Sequence, residues 1–226
     1  MILNVLELFS GTECISNAFR SRGHTCYTLD YEARFKPTFC TDIADFDVNN
    51  LSLSQGGIDV IWASPDCTTF SVAAISHNWE YLHDIPFPKR SQAVKGFSNI
   101  LHVLRIIQQL KPKYWFIENP MGMLRSMPWM KSLPRKEVTY CSYGDIRMKP
   151  TDIWTNCSHW TPRPKCHNGN KDCHHERAPR GSSTGTQGLK NAEERSRIPQ
   201  QLCEEIVLAC ENDGAKAIRQ VNLLKF

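Results

Sequence analysis

Two segments of the sequence each place a chemically active side chain at the end of an apolar run. Residues 58–67 end in Cys67, and residues 114–120 carry Glu118 after four apolar side chains. In an open α/β sheet the carboxyl ends of the strands are where ligands bind, so we expect Cys67 and Glu118 to face one crevice. A cysteine nucleophile opposite a glutamate acid suits attack on an electron-poor ring that must be protonated as the attack proceeds.

Both side chains also have an ordinary structural interpretation. Most free cysteines behave as small buried hydrophobes. A glutamate at a strand end can be there simply to form a salt bridge, without a chemical role. The sequence around Cys67, Ser-Pro-Asp-Cys-Thr-Thr-Phe-Ser, is a polar turn, which is an unusual place for core packing. We therefore favour the chemical interpretation of this segment.

The elements that must position these groups alternate between strand and helix. Apolar runs predict strands at residues 2–8, 25–29, 58–63, 114–117, 138–143 and 153–155. One helix is predicted between residues 92 and 110, and a last helix follows Pro199. This alternation predicts an α/β fold with a doubly wound, mostly parallel sheet. The inward residues of the two helices are Ala93, Phe97, Ile100, Leu101, Leu104 and Ile107 in the first and Leu202, Ile206 and Val207 in the last.

The length of the chain fits one domain with a small appendage. With 226 residues, of which 41% are hydrophobic, it can bury a sizeable core. We expect a catalytic core at residues 1–155, a small irregular recognition lobe at 156–197, and a C-terminal helix returning to the core at 198–226. Residues 68–91 have no steady period and are predicted as a long loop that clamps over the site.

Composition bears on compartment and partners. Ten cysteines in a chain of this length indicate reduced thiols better than a disulfide framework. The sequence has neither a long hydrophobic span nor a basic-then-apolar N-terminus, which predicts a cytoplasmic protein without membrane contact. The net charge of +4, with basic residues crowding the middle of the chain, is compatible with an anionic partner.

A nucleoside pocket is predicted beside the first strands. Gly11 follows the first strand, where the backbone must turn sharply. Asp30 ends the second strand and can accept both hydroxyls of a ribose, and Asp42 can accept from an exocyclic amine. Together these residues predict an adenosine pocket without a phosphate cradle. Surface acids at loop starts would give the same pattern.

The order of elements resembles the cytosine-5 DNA methyltransferase family over most of the chain. The residues that carry the resemblance are Leu8-Phe9-Ser10-Gly11 for the first cofactor motif, Asp30-Tyr31 for the ribose and adenine contacts, Asp42-Ile43 for the third motif, Pro65-Asp66-Cys67-Thr68-Thr69-Phe70-Ser71 for the catalytic loop, Glu118-Asn119 for the pair that grips the target base, and Ser142-Tyr143-Gly144 for the opening of the eighth motif. The compact form with its short Cys- and Arg-rich lobe most resembles phage and prophage members.

The resemblance implies a Rossmann-like, S-adenosylmethionine-dependent enzyme that methylates cytosine C5 in double-stranded DNA. Cys67 is the implied nucleophile at C6 of a flipped base, and Glu118 is the implied acid at its Watson–Crick edge. We expect a monomer in the cytoplasm of a bacterial host, associated with the nucleoid. The candidate residues are Cys67, Glu118, Asn119, Arg147 and Lys149 for catalysis, Phe9, Ser10, Gly11, Thr12, Asp30, Tyr31, Asp42, Ile43 and Pro65 for the cofactor, and Ser71, Arg163, Arg177 and Arg180 for the substrate.

The sequence departs from the family pattern at several positions. Glu13 replaces the second glycine of the first motif, and Asp66 replaces the proline before the cysteine, where a carboxylate should raise the thiol pKa. Lys149 and Thr151 stand where the eighth motif has arginines, with Arg147 two residues before Lys149. Two alternatives therefore stay open: the same chemistry on RNA, and a catalytically weak or inactive DNA-binding relative.

The predicted lobe also contains a cluster of cysteines and histidines that invites a structural zinc. Its spacing is irregular, without the paired Cys-x-x-Cys of the usual sites. The alternative is a loop whose cysteines and histidines contact DNA or simply pack. The candidate ligands are Cys157, Cys166, Cys173 and His174.

Overall fold

A computed structural model of the chain describes residues 1–51, 56–176, 189 and 191–212, and in them strands and helices alternate. The strands are β1 (Asn4–Leu8), β2 (Thr25–Asp30), β3 (Phe39–Cys40), β4 (Val60–Ala63), β5 (Trp79–Leu82), β6 (Ile85–Pro88), β7 (Tyr114–Pro120), β8 (Arg135–Thr139) and β9 (Pro150–Thr155). The helices are α1 (Cys14–Arg20), α2 (Ile75–Asn78), α3 (Ser91–Leu110), α4 (Pro128–Lys131), α5 (Ala192–Ser196) and α6 (Gln200–Glu211). Short 3₁₀ turns lie at Ala33–Phe35, Val48–Asn50, Val72–Ala74, Met123–Ser126 and Tyr140–Tyr143.

Seven strands form one central sheet in the order β3-β2-β1-β4-β7-β9-β8. The five strands from β3 to β7 are parallel, and β9 runs antiparallel to both of its neighbours. In the centre, Ala63 of β4 pairs with Leu8 of β1 on one side and Ile117 of β7 on the other. The predicted mostly parallel, doubly wound fold is confirmed.

The central strands are buried on both faces, which explains their continuous apolar runs. Val60 and Trp62 of β4 point to the face covered by α1 and α6, whereas Ile61 and Ala63 point to the face covered by α3. Each face has its own hydrophobic cluster, so neither side of the sheet meets solvent at its centre.

Helix α3 matches its predicted extent, and five of its six predicted inward residues pack against the core: Ala93 and Ile100 are buried, and Phe97, Leu104 and Ile107 are partly buried. Val103 and Ile106 are buried, whereas Leu101, predicted to face inward, is 44% exposed. The reason lies at Gly96, where a Cβ would come within 2.6 Å of Thr69 Oγ1. The helix approaches the loop after β4 along its glycine side, which turns Leu101 outward. In α6 the predicted inward residues, Leu202, Ile206 and Val207, are buried as expected.

Residues 68–91 are not the structureless loop that was predicted. They contain α2 and a β5–β6 hairpin in which Trp79 pairs with Pro88 and Leu82 with Ile85. The two turn residues, His83 and Asp84, both have positive φ, as a two-residue hairpin turn requires. Two prolines in β6 and a turn without glycine hid this hairpin, because prolines argue against strands and glycine is the usual turn signal.

Two further expectations meet the structure differently. The strand predicted at residues 138–143 ends at Thr139, and a 3₁₀ turn follows it. Cys157 and Trp160, at the start of the predicted lobe, are buried against α6 in the core. The rest of residues 156–176 forms no helix or strand, and the proposed domain boundaries stay a prediction.

Among the described residues, no helix combines the length and apolar character needed to cross a bilayer.

A buried ion pair joins the antiparallel end of the sheet to the turn after β7. Asp152 of β9 is fully buried. Its carboxylate accepts hydrogen bonds from Nε and Nη2 of Arg125, and the bond from Nε is 2.8 Å long. Arg135 Nε lies 3.5 Å from the same carboxylate. Removing Arg125 would leave a buried charge with one distant partner.

We predict that Arg125→Ala lowers the free energy of unfolding by about 3 kcal/mol, since breaking a buried pair exposes the desolvation cost of the remaining charge. Urea denaturation followed by circular dichroism measures this value. Arg34→Ala is the matched control, because the ion pairs of Arg34 are largely exposed and should contribute below about 1 kcal/mol. Equal losses in the two variants would contradict the prediction.

Candidate active site

The thiol segment is a tight turn anchored by aromatic packing. Cys67 follows β4 by four residues, and its carbonyl accepts the backbone N–H groups of Phe70 and Ser71 at 3.1 and 3.0 Å. Phe70 is fully buried and stacks on Trp79 with ring centroids 5.4 Å apart. Trp79 Nε1 in turn donates to Thr69 O over 2.7 Å. The hairpin that the sequence did not reveal therefore holds the cysteine turn in place.

The carboxylate lies at the end of β7, next to the thiol segment. Glu118 is only 5% exposed, and its Oε1 accepts the Tyr140 hydroxyl over 2.8 Å. Lys149 Nζ lies 3.9 Å from the same oxygen. The next residue, Asn119, donates from Nδ2 to Pro65 O over 3.0 Å. This amide links the carboxylate strand directly to the turn that carries Cys67.

The charges around Cys67 oppose one another. Burial raises the pKa of the thiol, and the Glu118 and Asp66 carboxylates raise it further, whereas Lys149 lowers it. The expectation that Asp66 opposes the thiolate agrees with this direction, but burial is the larger cause. Asp66 is also partnered, since its carboxylate accepts the backbone N–H and the hydroxyl of Thr68. Cys67 is thus within electrostatic reach of both Glu118 and a single lysine.

A cavity of about 240 Å³ opens beside the turn, at the carboxyl ends of the first strands. Both oxygens of Asp30 accept backbone N–H groups, from Gly11 and Glu32, each over 2.9 Å. Asp42 accepts Ala44 N–H and Lys95 Nζ, and the hydrogen bond from Ala44 is the main cause that lowers its pKa. The wall is formed by Phe9, Leu29, Asp30, Tyr31, Thr41, Asp42, Ile43, Asp66, Thr68, Thr69, Gln92, Lys95, Gly96 and Asn99.

The other residues predicted for the cofactor lie next to this cavity without forming its described wall. Ser10 is buried, and among the described residues its hydroxyl has no hydrogen-bond partner. Gly11 has φ +45° and contributes the N–H that holds Asp30. Thr12 contacts Cys14, and Pro65 contributes the carbonyl that Asn119 binds.

Comparison with known proteins now identifies the family. Residues 3–128, more than half of the chain, match the family model of the C-5 cytosine-specific DNA methylases. The chain belongs to this family. By family it is a DNA (cytosine-5-)-methyltransferase. A curated relative, the "Probable DNA (cytosine-5)-methyltransferase" of Frog virus 3 (isolate Goorha), is 28% identical over 221 residues, which are 92% of this chain and 100% of the relative.

Two solved methyltransferases align with this methylase at low identity. The structure of methyltransferase EhMeth of Entamoeba histolytica has a TM-score of 0.50 and 15% identity, over 74% of this chain and 57% of that one. The crystal structure of the S. pombe Dnmt2 methyltransferase has a TM-score of 0.46 and 17% identity, over 69% and 49%. The chain spans about half of the length of these two proteins, and the first likeness supports the Rossmann-like fold alone.

The backbone conformation of residue 13 explains why a glycine suits this position, where this methylase has Glu13. Glu13 has φ 54° and ψ 38°, the left-handed conformation that glycine adopts most easily. A side chain there costs about 1–2 kcal/mol. The carboxylate of Glu13 pairs with Arg20 of α1, so the departure adds strain, and Glu13 is not among the residues that line the cavity beside the cysteine turn.

The structure separates the two cations that were predicted near the base. Arg147 is 3% exposed, and its five N–H donors are engaged by the Asp145 carboxylate and by three carbonyls of the segment at residues 194–197. In this structure Arg147 therefore anchors the segment at residues 194–197 to Asp145, and its predicted role near the base stays a prediction. Lys149 is the cation beside Glu118, and its Nζ also donates to Arg195 O over 3.2 Å.

The predicted substrate residues fall into three groups. Ser71 lies in the cysteine turn and pairs with Gly122 through an isolated bridge. Arg163 binds Glu205, Gln201 and the backbone carbonyl of Ser142, so it connects its segment to α6, and its predicted contact with the substrate stays a prediction. Arg177 and Arg180 lie outside the described residues.

Sequence reasoning missed Tyr140, whose hydroxyl holds Glu118. The contact spans 22 residues and depends on the 3₁₀ turn after β8, and nothing local distinguishes this tyrosine. Of the four candidate zinc ligands, Cys166 and Cys173 lie together with Cys141 and His175. The other two lie apart from this cluster, since Cys157 contacts His159 and His174 binds Asp145 O. The predicted zinc site stays a prediction.

We predict that Gly122→Ala displaces the cysteine turn. A Cβ at Gly122 would lie 2.1 Å from Phe70 O, a backbone atom that cannot move without moving the turn. Overpacking of this kind costs about 1–3 kcal/mol, and we expect methylation to fall about tenfold or more, as about 1.4 kcal/mol of lost transition-state stabilisation would produce. Thermal unfolding and initial rates measure the two effects. Gly57→Ala is the control, since its Cβ would meet open space; equal behaviour of the two variants would contradict the geometry.

A second prediction concerns the thiol of Cys67. Lys149→Gln removes the cation that favours the thiolate and should raise the pKa of Cys67, so less thiolate exists at a given pH. Asp66→Asn removes an opposing carboxylate and should lower this pKa. Alkylation rates against pH, with the Cys67 peptide quantified by mass spectrometry, measure both, and the exposed Cys40 serves as an internal reference. Shifts of the same sign in both variants would refute the electrostatic description.

Proposed function

We propose that this methylase transfers a methyl group from S-adenosylmethionine to C5 of cytosine in double-stranded DNA, through a covalent adduct between Cys67 and C6 of a flipped base. The observation that carries the proposal is the hydrogen bond from Asn119 to Pro65 O. It ties the carboxylate strand to the cysteine turn, and the electrostatic influence of Glu118 on the thiol follows from the same closeness.

The chemistry explains each residue type. Cytosine C5 is a poor nucleophile, and addition of the Cys67 thiolate at C6 pushes an electron pair onto C5. Glu118 steadies the far edge of the ring by contacting N3 and the exocyclic amine. Its Oε1 is engaged by Tyr140, and no described hydrogen bond occupies Oε2, which leaves that oxygen for the base. Once C5 carries the methyl group, a base takes the C5 proton, the C5–C6 double bond forms again, and the C6–S bond breaks to release the Cys67 thiolate.

Lys149 is proposed to support both groups. Its amine favours the Cys67 thiolate and lies 3.9 Å from Glu118 Oε1. A lysine provides a compact charge but not the bidentate fork of an arginine. We therefore assign it electrostatic support of the thiolate and of Glu118, and no paired hydrogen bond to the base.

The cavity beside the turn fits the cofactor by its chemistry. Three carboxylates line it, those of Asp30, Asp42 and Asp66, together with the apolar Phe9 and Ile43. Carboxylates suit ribose hydroxyls, an exocyclic amine and a positively charged ligand, and the apolar side chains suit a purine ring. S-adenosylmethionine supplies an electrophilic methyl group on a sulfonium when it is bound. Asp66 and Thr68 flank Cys67 and also line the cavity, so cofactor and thiol share one turn.

The test of the catalytic roles is a pair of substitutions. We predict that Cys67→Ser abolishes methylation, since a serine hydroxyl is a far weaker nucleophile than a thiolate. Glu118→Gln should lower the rate about 10²–10⁴-fold, the usual contribution of a positioned acid–base group. Bisulfite sequencing of DNA from expressing cells and transfer of tritiated methyl to purified DNA measure the effect. Cys26→Ser and Glu204→Gln, both outside the site, are the matched controls.

Different results would refute the proposed DNA substrate and the proposed covalent adduct. Tritium that appears in RNA alone would refute the DNA assignment, and unchanged methylation in Cys67→Ser would refute the adduct. DNA with fluorine at cytosine C5 should form a denaturant-stable complex with the wild-type chain, because fluorine cannot leave as the proton does. Absence of that complex from an active enzyme would also overturn the covalent mechanism. DNA binding without any methylation would indicate the inactive relative.

A further inference from the structure

A second cluster of reactive side chains lies outside the proposed catalytic site. Cys141 is 25 residues or more from Cys166, Cys173 and His175 in the sequence, yet the ligand atoms of all four lie within 4.8 Å of one another. Cys141 is buried in the 3₁₀ turn after β8, and the other three are partly buried in the irregular segment that follows Trp160. We propose that these four residues bind one structural zinc ion.

The distances suit a tetrahedral site. Zinc bonds of about 2.3 Å to sulfur and about 2.0–2.1 Å to nitrogen place a thiolate and an imidazole nitrogen about 3.5 Å apart. Cys166 Sγ lies 3.5 Å from Nδ1 of His175. Three thiolates and one imidazole are a common structural zinc set, and four protein ligands leave no open position for a substrate. The site is therefore structural rather than catalytic.

The surroundings of the cluster resemble those of a ligand shell. Asn170 Nδ2 donates to Cys166 Sγ over 3.5 Å, a contact that stabilises charge on sulfur. The Cys166 N–H donates to Thr139 Oγ1 over 2.8 Å, which fixes the ligand against the end of β8. Binding forms three Zn–S bonds and one Zn–N bond and releases the three thiol protons to solvent, with no change of oxidation state.

The proposed ion has a clear structural consequence. Cys141 directly follows Tyr140, the residue whose hydroxyl holds Glu118. A zinc ion would tie the segment at residues 166–175 to this turn, in addition to hydrogen bonds such as those from His174 to Asp145 O and from Glu176 N to Ile146 O. The irregular segment after Trp160 would thus gain a fixed position beside the carboxylate strand.

The experiment measures metal in the full-length wild-type chain, expressed in zinc-containing medium and purified without chelator. Elemental analysis for zinc, iron and copper should give about one zinc per chain, as a single four-ligand site requires. After the zinc is removed, Co²⁺ should bind with the visible and near-ultraviolet absorption of a tetrahedral thiolate site. A wild-type chain that holds neither metal, or iron or copper in place of zinc, overturns the proposal.

Substitutions then locate the ion. Cys173→Ser and His175→Ala, at partly exposed positions, should each lose zinc, whereas the neighbouring His174→Ala is the matched control and should keep it. Retention of zinc in both ligand variants refutes the assigned set. If a variant does not fold, chelation of the wild-type chain decides: we expect a lower melting temperature that added zinc restores, and no change of melting temperature refutes a structural ion. None of these readouts requires methylation, so they stand apart from the proposed activity.

Discussion

The parallel pairing of β4 with β7 is the constraint on which the candidate site depends. In a parallel pair both strands end at the same edge, and the register of Ala63 with Ile117 places the turn to Cys67 beside Glu118. Both strands are buried on their two faces, so a slip of register would move apolar side chains out of both clusters. The hydrophobic cores therefore determine the closeness of the two functional groups, before any polar contact between their segments is made.

The burial that fixes this geometry also sets an electrostatic problem. A thiolate and a carboxylate that lie close together in a poorly solvated site disfavour each other's charged forms. A neighbouring donor and a cation offset this effect. The Tyr140 hydroxyl donates to Glu118, and Lys149 lies 3.9 Å from Glu118 Oε1 and lowers the pKa of Cys67. Charge interactions are stronger in such surroundings than in water, so the amine of Lys149 opposes the effect of burial on the pKa of Cys67.

Local sequence patterns predict those elements of the fold whose position depends on neighbouring residues in the sequence. The buried strands, α6 and the two functional segments follow from apolar runs, helical spacing and turn composition. The β5–β6 hairpin did not, because Pro86 and Pro88 and a turn without glycine suppress the usual signals. Tyr140 and Cys141 were also missed, since side chains that meet across 22 or 25 residues are selected by the direction of a turn rather than by spacing in the sequence.

The segment at residues 191–199, which leads into α6, is connected to the candidate site by its backbone. Arg147 binds three of its carbonyls, and Lys149 binds the carbonyl of Arg195 while lying 3.9 Å from Glu118. The amine that favours the Cys67 thiolate is thus positioned by a backbone carbonyl of this segment. A shift of the carbonyl would move the amine and change the balance of charge at the thiol and the carboxylate together. The geometry therefore links the placement of this segment to the charge near the Cys67 thiol, although the two share no direct hydrogen bond among the described residues.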